Sequence, residues 1–324
     1  MSVVVWGITD GSAGMVSQVR GVGEMLVQKY GGEFILKSVR LKKPFCWLRG
    51  NWRFAAMQQL TRDSDTLSPP YPDILISSGR RSVALALAIK RSSGNKTKLV
   101  HLQGPRISTK YFDLVVAMEH DKLKGENVIS TFAALHHITD AKLAEAHATY
   151  ANQLTKYQSP RVAVLLGGST HAYTLTPTHA EELAARVCEV IQQHKGSLWI
   201  STSRRTGAEN IKTLRNILTS REDSHITIYS GDGENPYLAW LACADIIIVT
   251  NDSVSMMSEA LCTGKPLYIL PLPDHRNTKP ANFANTLIER GYAKPFNPKL
   301  EPYQAIKLDE KETVVLEIIR RLCA

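Results

Sequence analysis

Short apolar runs alternate along the whole chain with longer segments in which apolar residues return every three or four positions. The first kind reads as buried strand and the second as helix packed on one side. Val3 to Trp6 is the first predicted strand. Met15 to Tyr30 is the first predicted helix, with Val16, Val19, Val22, Leu26 and Val27 at helical spacing. Strands are predicted next at Phe34 to Val39, Asp73 to Ser77, Lys98 to Leu102 and Leu114 to Ala117, with helices at Ser82 to Arg91 and Lys142 to Tyr157. Ser159-Pro160 reads as a linker, after which the pattern restarts with a strand at Val162 to Leu166. Helices at Thr178 to His194, Ala208 to Leu218 and Pro236 to Ala242 then alternate with strands at Leu198 to Ile200, Ile226 to Tyr229 and Ile246 to Val249. Leu267 to Ile269 is the last predicted strand, followed by helices near Ala281 to Arg290 and Glu310 to Leu322.

Strict alternation of this kind implies parallel sheets covered by helices on both faces. The expected fold class is α/β, with two Rossmann-like domains whose parallel sheets face a central cleft. The expected boundaries are 1–157 and 158–305, with a final helix in 306–324. In open sheets of this type ligands sit beyond the carboxyl ends of the strands. Candidate chemistry is therefore sought in the loops that follow strands.

Composition narrows the class. An apolar fraction of 44% and a charged fraction of 21% suit a soluble globular chain, and no uninterrupted apolar stretch is long enough to span a membrane. The amino terminus, MSVVVWGITDG, has no basic stretch ahead of an apolar one, so a secretory signal is not expected. The five cysteines are scattered without a CxxC pair, which argues against a zinc site or disulfide frame and for a reducing cytoplasm. The net charge of +9 raises the question of an anionic partner. Between Glu33 and Asp63 no acidic residue interrupts Lys37, Arg40, Lys42, Lys43, Arg49, Arg53 and Arg62, and Phe45, Trp47, Trp52 and Phe54 lie among them. Residues 37–54 read either as a solvated segment with some aromatics turned inward, or as a docking surface for an anionic membrane. No nucleic-acid-binding pattern is present, so nucleic acid is not an expected partner. Oligomeric state is left open.

Three loops resemble anion sites. Gly11, Ser12 and Gly14 follow the first strand and lead into a helix whose unpaired N–H groups suit a phosphate or carboxylate. A tight turn capped by Asp10 or Ser12 is the alternative. Gly167, Gly168 and Ser169 open the second half, the glycines making room for a ligand or for the other domain. Asn251, Asp252, Ser253, Val254, Ser255 and Ser258 gather where a strand runs into a helix, more small polar residues than one N-cap requires. Glu259, one turn further on, can accept from a pair of sugar hydroxyls, or can serve as an ordinary acid near a helix start. Ser203, Arg204 and Arg205 also follow a strand, and guanidinium groups fit phosphate oxygens. Gly79-Arg80-Arg81 and His101 to Gln103 follow strands in the first half, where they would meet an acceptor or face solvent. Glu119, His120 and Asp121 form a further acid-base cluster; as metal ligands, three adjacent residues converge poorly, and no metal is expected.

The stretch NDSVSMMSEALCTGKPLYILP resembles the nucleotide-sugar segment of GT-B glycosyltransferases. The resemblance implies that Glu259 holds a ribose, that Ser253 through Ser258 and the helix terminus face a diphosphate, and that Gly231 and Asp232 lie where the base is met. TDGSAGMVSQVRG, ISSGRRS, FDLVVAMEHDKLKGENVIS, VAVLLGGST and TNDSVSMMSEAL together resemble the Elm-type mitochondrial fission family, itself GT-B-like. Its sequences often carry glycine ahead of the histidine that matches His136, where this chain has Phe132. The GT-B likeness implies a metal-independent transferase moving a sugar from a nucleoside-diphosphate sugar, as donor substrate, to an envelope glycan or lipid-linked acceptor. The amino-terminal half would be the acceptor side, Asp10 the general base with Glu119 and His120 as the second candidates, and the last helix would cross back to the first domain. The Elm-type likeness, whose plant member is associated with recruiting a dynamin-type protein, implies instead a non-enzymatic adaptor on a membrane. The same fold also serves nucleotide-sugar epimerases. The expected location is cytoplasmic, on the inner face of a membrane if the basic segment docks.

Overall fold

The first apolar run is strand β1, Val4–Thr9, and the helix after it, α1, covers Ala13–Tyr30. The computed structural model describes residues 2–43, 56–171, 173–219, 225–273 and 278–323. Strands β2 (Glu33–Ser38) and β3 (Ile74–Ser78), helix α2 (Val83–Ser92), and strands β4 (Lys98–Leu102), β5 (Leu114–Met118) and β6 (Val128–Thr131) complete the first series. The second series runs α3 (Asp140–Leu154), β7 (Arg161–Leu166), α4 (Pro177–His194), β8 (Ser197–Thr202), α5 (Ala208–Thr219), β9 (Ile226–Tyr229) and α6 (Tyr237–Cys243). It continues with β10 (Ile246–Thr250), α7 (Val254–Leu261), β11 (Leu267–Leu270), α8 (Lys279–Glu289) and β12 (Lys294–Pro295); α9 (Lys311–Leu322) ends the chain.

Two units result: Met1–His137 with Asp309–Ala324, and Ile138–Leu308. The division falls after His137 rather than after Tyr157, because α3 packs in the second unit. There Tyr150 meets the buried Trp199 ring edge-on and accepts a hydrogen bond from Trp240 Nε1 at 3.4 Å. Helix α9 belongs to the first unit. Its Val314, Val315 and Ile318 share one core with Val19, Val22 and Leu26 of α1, and the Glu310 carboxylate accepts from the amides of Phe132 and Ala133, each at 2.9 Å.

Each unit holds a six-stranded, wholly parallel sheet. The orders are β2-β1-β3-β4-β5-β6 and β12-β11-β10-β7-β8-β9. β3 and β5 are buried from end to end, and β7 after its first residue, as strands covered on both faces must be. The helices follow from capping and periodicity. α4 starts at a Thr176 cap that accepts from the His179 amide, with Pro177 in the first turn, and buries Ala180, Leu183, Ala184, Val187, Cys188, Val190 and Ile191 on one stripe. Removing one such leucine, Leu183→Ala, would cost roughly 2–5 kcal/mol. β12 escapes a reading by pattern because it is two residues long and ends in a proline, tolerable only at a sheet edge.

Strand order reverses between β1 and β3 in the first sheet and between β7 and β10 in the second. These are the two switch points, where loops on neighbouring strands part and leave a crevice. Within the basic segment, Lys37 donates to the Thr66 carbonyl at 2.9 Å and lies over the Trp6 ring, and Arg40 pairs with Asp63 at 3.3 Å. Phe45, Trp47, Arg49, Trp52, Arg53 and Phe54 lie outside the described residues. No described helix is long and apolar enough to cross a membrane.

Candidate functional site

At the second switch point the glycine turn after β7 is occupied from within the chain. The Gly167 amide donates to Thr250 Oγ1 at 2.8 Å, and the Gly168 amide to Asp252 Oδ2 at 3.1 Å. The Thr250 hydroxyl donates to the other Asp252 oxygen at 2.6 Å, and Arg205 Nη1 lies 2.7 Å from Oδ2. The glycines therefore make room for this carboxylate and for the Arg205 backbone. A Cβ on Gly167 would stand 2.0 Å from Asp252 Oδ2, and one on Gly168 2.2 Å from the Arg205 carbonyl oxygen. The expectation is that they make room for a ligand or for the other domain; the groups packed against them are instead a side chain and a backbone of their own unit. A buried carboxylate is tolerable when charge and hydrogen bonds surround it, and here an N–H, an O–H and a guanidinium do so.

The surrounding loop residues serve the same framework. The Ser169 amide donates to the Arg205 carbonyl and its hydroxyl accepts from the Leu175 amide, both at 2.9 Å. Ser203 Oγ accepts from the Arg205 amide at 3.2 Å, closing a tight turn, while Arg204 is exposed. Thr206 Oγ1 donates to the Gly167 carbonyl at 2.5 Å. Asn251 Oδ1 accepts from the Leu272 amide at 3.0 Å and ties the exit of β11 to the exit of β10.

Helix α7 begins immediately beyond. Ser253 caps it, accepting from the Met256 amide, and Ser258 is buried and donates to the Val254 carbonyl at 2.9 Å. With that cap in place, helix geometry directs the amides of Val254 and Ser255 out of the helix start. Glu259 follows on the same helix and is 7% exposed, yet it does not end in apolar surroundings. Its Oε2 accepts from the Tyr237 hydroxyl at 2.7 Å, a contact from the first residue of α6. Burial, and after it the Glu259 charge, push Tyr237 well above the ordinary tyrosine range, so the phenol stays protonated and donates. Tyr237 went unnoticed in the sequence; the available signal was a tyrosine opening a helix just after the Gly231-Asp232-Gly233 loop, whose residues are exposed.

In the first unit the corresponding switch point carries a smaller cluster. Asp10 Oδ1 accepts from the Ser12 amide at 3.0 Å and from the Ser12 hydroxyl, and Oδ2 from Arg81 Nη1 at 3.1 Å. Gly11 takes a left-handed turn (φ +81°) beside Arg40, and Gly14 lies in the first turn of α1. Partial burial raises the Asp10 carboxyl, but the Ser12 hydrogen bonds and the Arg81 charge outweigh it and hold the group below its ordinary value. Gly79 is buried at the start of the Arg80–Ser82 turn, and Arg80 is exposed. Gln103 Nε2 donates to Gln18 Oε1 at 3.2 Å, an oxygen that also accepts from Ser78. Glu119, His120 and Asp121 form a short turn after β5, three strands along the sheet from β1. At about 4.8 Å per strand they stand on the order of 14 Å from the Asp10 loop. His120 Nε2 lies 3.8 Å from Asp121 Oδ1, and no group of three His, Cys, Asp or Glu side chains among the described residues comes together to hold a metal ion.

Two Rossmann-like units built from parallel six-stranded sheets make this a protein of the GT-B fold. A solved UDP-GlcNAc 2-epimerase from Neisseria meningitidis, bound to UDP-GlcNAc, superposes with a TM-score of 0.56, covering 99% of this chain and 100% of that one. At 13% identity the likeness is one of fold. Residues 13–322 match the mitochondrial fission ELM1 family, and the chain belongs to it. The mitochondrial fission protein ELM1 of Arabidopsis thaliana is 30% identical over 249 residues, 69% of this chain, and the match spans only 57% of the plant protein's length. The uncharacterized protein RP120 of Rickettsia prowazekii is 26% identical, over 98% of this chain and 97% of its own.

Proposed function

We propose that the carboxyl-terminal unit binds a nucleoside-diphosphate sugar and that the protein transfers its sugar to an envelope glycan or lipid-linked acceptor. The observation that carries this reading is Glu259: nearly buried, held at Oε2 by Tyr237, and set on the helix that leaves a switch-point strand. A carboxylate so placed accepts from the hydroxyls of a ribose, while the Val254 and Ser255 amides take the diphosphate. Arg204 is free to turn toward the phosphates from the exposed side of its loop. Solved GT-B relatives in structure bind UDP-sugars, as the Neisseria epimerase does. Asp10 is the proposed general base for the acceptor hydroxyl, and the basic run at residues 37–54 would hold the protein to an anionic membrane surface.

A second reading has its own observation. Asp252 already fills the Gly168 amide and the Arg205 guanidinium, groups that would otherwise grip a phosphate. A chain that keeps the GT-B scaffold and presents a surface to a partner would need that framework and no ligand. Thermal unfolding in the presence of UDP, GDP, ADP and CMP conjugates separates the two. Ligand at a hundred times its dissociation constant adds about 2.7 kcal/mol to stability, and Glu259→Ala should abolish the shift. No shift with any conjugate would leave the scaffold reading standing. Binding followed by interconversion of free nucleotide sugars without an acceptor would identify an epimerase instead.

A further inference from the structure

We propose that the acceptor carries several phosphate groups, and that Arg62, Arg80, Arg106 and Lys122, on the carboxyl-end side of the first sheet, hold them. The proposal rests on the transfer reading above and deepens it by naming the acceptor's chemistry. Charge is divided unequally between the units. The first holds 22 lysines and arginines against 14 aspartates and glutamates, the second 17 against 16. Eight of the nine excess charges therefore belong to the unit assigned to the acceptor. All six strands of its sheet run parallel, so the loops leaving their carboxyl ends share one side. Arg80 follows β3, Arg106 follows β4 and Lys122 follows β5. Arg62 stands beside the end of β2, where the Thr61 amide donates to the Arg40 carbonyl at 2.8 Å.

These four side chains are exposed, and none makes an ion pair or hydrogen bond with a described residue. Three acids nearby are engaged: Asp63 with Arg40, Asp10 with Arg81, and Asp65 with the Ser38 amide at 2.6 Å. The other two, Glu119 and Asp121, precede Lys122 in one turn without pairing with it. On the helices of the same unit cations lie against acids, Lys29 on Glu312, Lys90 on Asp113, and Arg320 and Arg321 on Glu317. Unpaired like charges on one side repel, and an anion that meets them relieves the repulsion. Guanidinium forks match phosphate oxygens, and lysine adds a point charge. From the end of β2 to that of β5 is four strand spacings, about 19 Å. One phosphate reaches a pair of such side chains. A row this long suits a series of phosphates, as in a phosphorylated glycan or a lipid-linked diphosphate bearing a phosphorylated sugar. Asp10 follows β1, between β2 and β3, and so falls inside the row; a hydroxyl that meets it belongs to a molecule anchored on both sides.

The test is calorimetric titration of the whole protein with inorganic tripolyphosphate and with orthophosphate. The parent should bind tripolyphosphate about tenfold tighter or more, and the affinity should fall as salt rises. Arg80→Gln with Lys122→Gln should weaken tripolyphosphate by about tenfold. Lys96→Gln with Lys110→Gln removes the same charge from exposed positions at the amino ends of β4 and β5, and should change the affinity less than about twofold. If the first pair does not fold, Arg62→Gln with Arg106→Gln carries the same expectation. Equal losses from the two ends of the sheet reduce the effect to net charge and overturn the proposal. So does a parent that ignores tripolyphosphate, or that binds orthophosphate as tightly. Phosphatidylserine vesicles that sediment the parent but not the Arg80 pair, with tripolyphosphate unbound, assign the face to a bilayer instead. Where tripolyphosphate binds as expected, neutral vesicles carrying a polyprenyl diphosphate identify the source: competition puts the phosphates on a lipid, and no competition puts them on a soluble glycan. Thermal unfolding with the nucleotide conjugates tests the transfer reading on its own. No shift there, with the contrast between variants intact, overturns that reading and leaves a phosphate-binding face without a transfer.

Discussion

At the switch point of the second sheet Asp252 meets Arg205, and at that of the first Asp10 meets Arg81. In both, an acid after one central strand reaches an arginine carried by a loop after another strand. The surroundings differ. The Asp252 side chain is wholly buried and its arginine 37% exposed; the Asp10 side chain is 20% exposed and its arginine 60%. A buried carboxylate must be satisfied by the protein at all times, and Asp252 is, by Thr250, Gly168 and Arg205. A partly exposed one, paired with a largely exposed arginine, can exchange that partner for water or a ligand at lower cost. The same pair of residue types thus serves as framework in one unit and as accessible chemistry in the other.

The largest effect should come from breaking the framework. Asp252→Ala leaves the Gly168 amide and the Thr250 hydroxyl buried without their acceptor, and should lower stability by about 3 kcal/mol. Asp10→Ala should cost less than about 1 kcal/mol. Urea unfolding of the two variants side by side checks the contrast, and equal losses would dissolve the distinction drawn between the pairs.

A second difference between the units is sensitivity to acid. His101 on β4 is fully buried, its Nδ1 bonded to Ser77 Oγ at 2.8 Å, its ring tilted against Phe112, and its Nε2 without a hydrogen-bond partner among the described residues. Burial lowers it to about 3 from 6.5. Between those values the unfolded chain binds the proton and the folded chain does not, so stability falls as pH drops through the window. By pH ~4.5 the loss should reach roughly 2–3 kcal/mol relative to neutral pH. His101→Gln should remove that part of the acid sensitivity. A variant whose urea midpoint falls as steeply as the parent's between pH ~7 and pH ~4.5 would take His101 out of the account.

The first unit also carries the basic run. Lys37 bonds to Thr66 and Arg40 pairs with Asp63, and Lys42 and Lys43 are exposed at the surface. If the run docks on anionic lipid, Lys42→Ala with Lys43→Ala should weaken co-sedimentation with phosphatidylserine vesicles by about 1 kcal/mol per lysine at most, with neutral vesicles as the baseline. Equal retention on both vesicle types would confine the charge to solvation.

Most of this architecture was legible from period alone. Strands buried on both faces are continuous apolar runs such as Ile246 to Val249, and helices such as α4 show their stripe and their cap in the residues themselves. The rule that ligands gather beyond strand ends led to the loops at the two switch points. What it could not supply was the reason for the residues there. Gly167 and Gly168 look alike whether they admit a phosphate or the side chain of Asp252, and only the packing tells which. The Tyr237–Glu259 contact joins two helices and leaves no local signature. The division after His137 depends on whether α3 packs forward or backward in the chain, which its own weakly buried sequence does not decide.

The smallest effect on stability is the most informative about chemistry. Arg81 is one of three influences that bring the Asp10 carboxyl below its ordinary value of 3.8 against partial burial, the others being the two Ser12 hydrogen bonds. A carboxyl depressed in this way stabilises the fold above its unfolded value, and that contribution is lost as pH falls below it, so at neutral pH nothing in the group titrates. Arg81→Ala should therefore raise the Asp10 carboxyl toward 3.8, read directly by the carbon-13 shift of that side chain during titration, while changing neutral-pH stability by only a few tenths of a kcal/mol. A raised carboxyl is a stronger base. If Asp10 accepts the acceptor's proton, losing Arg81 improves its basicity and any loss of transfer must come from the acceptor's own contact with the guanidinium, seen in KM rather than kcat. Should the carboxyl stay where it was, Ser12 alone sets it, and the arginine at this switch point is a neighbour of the aspartate without being its partner.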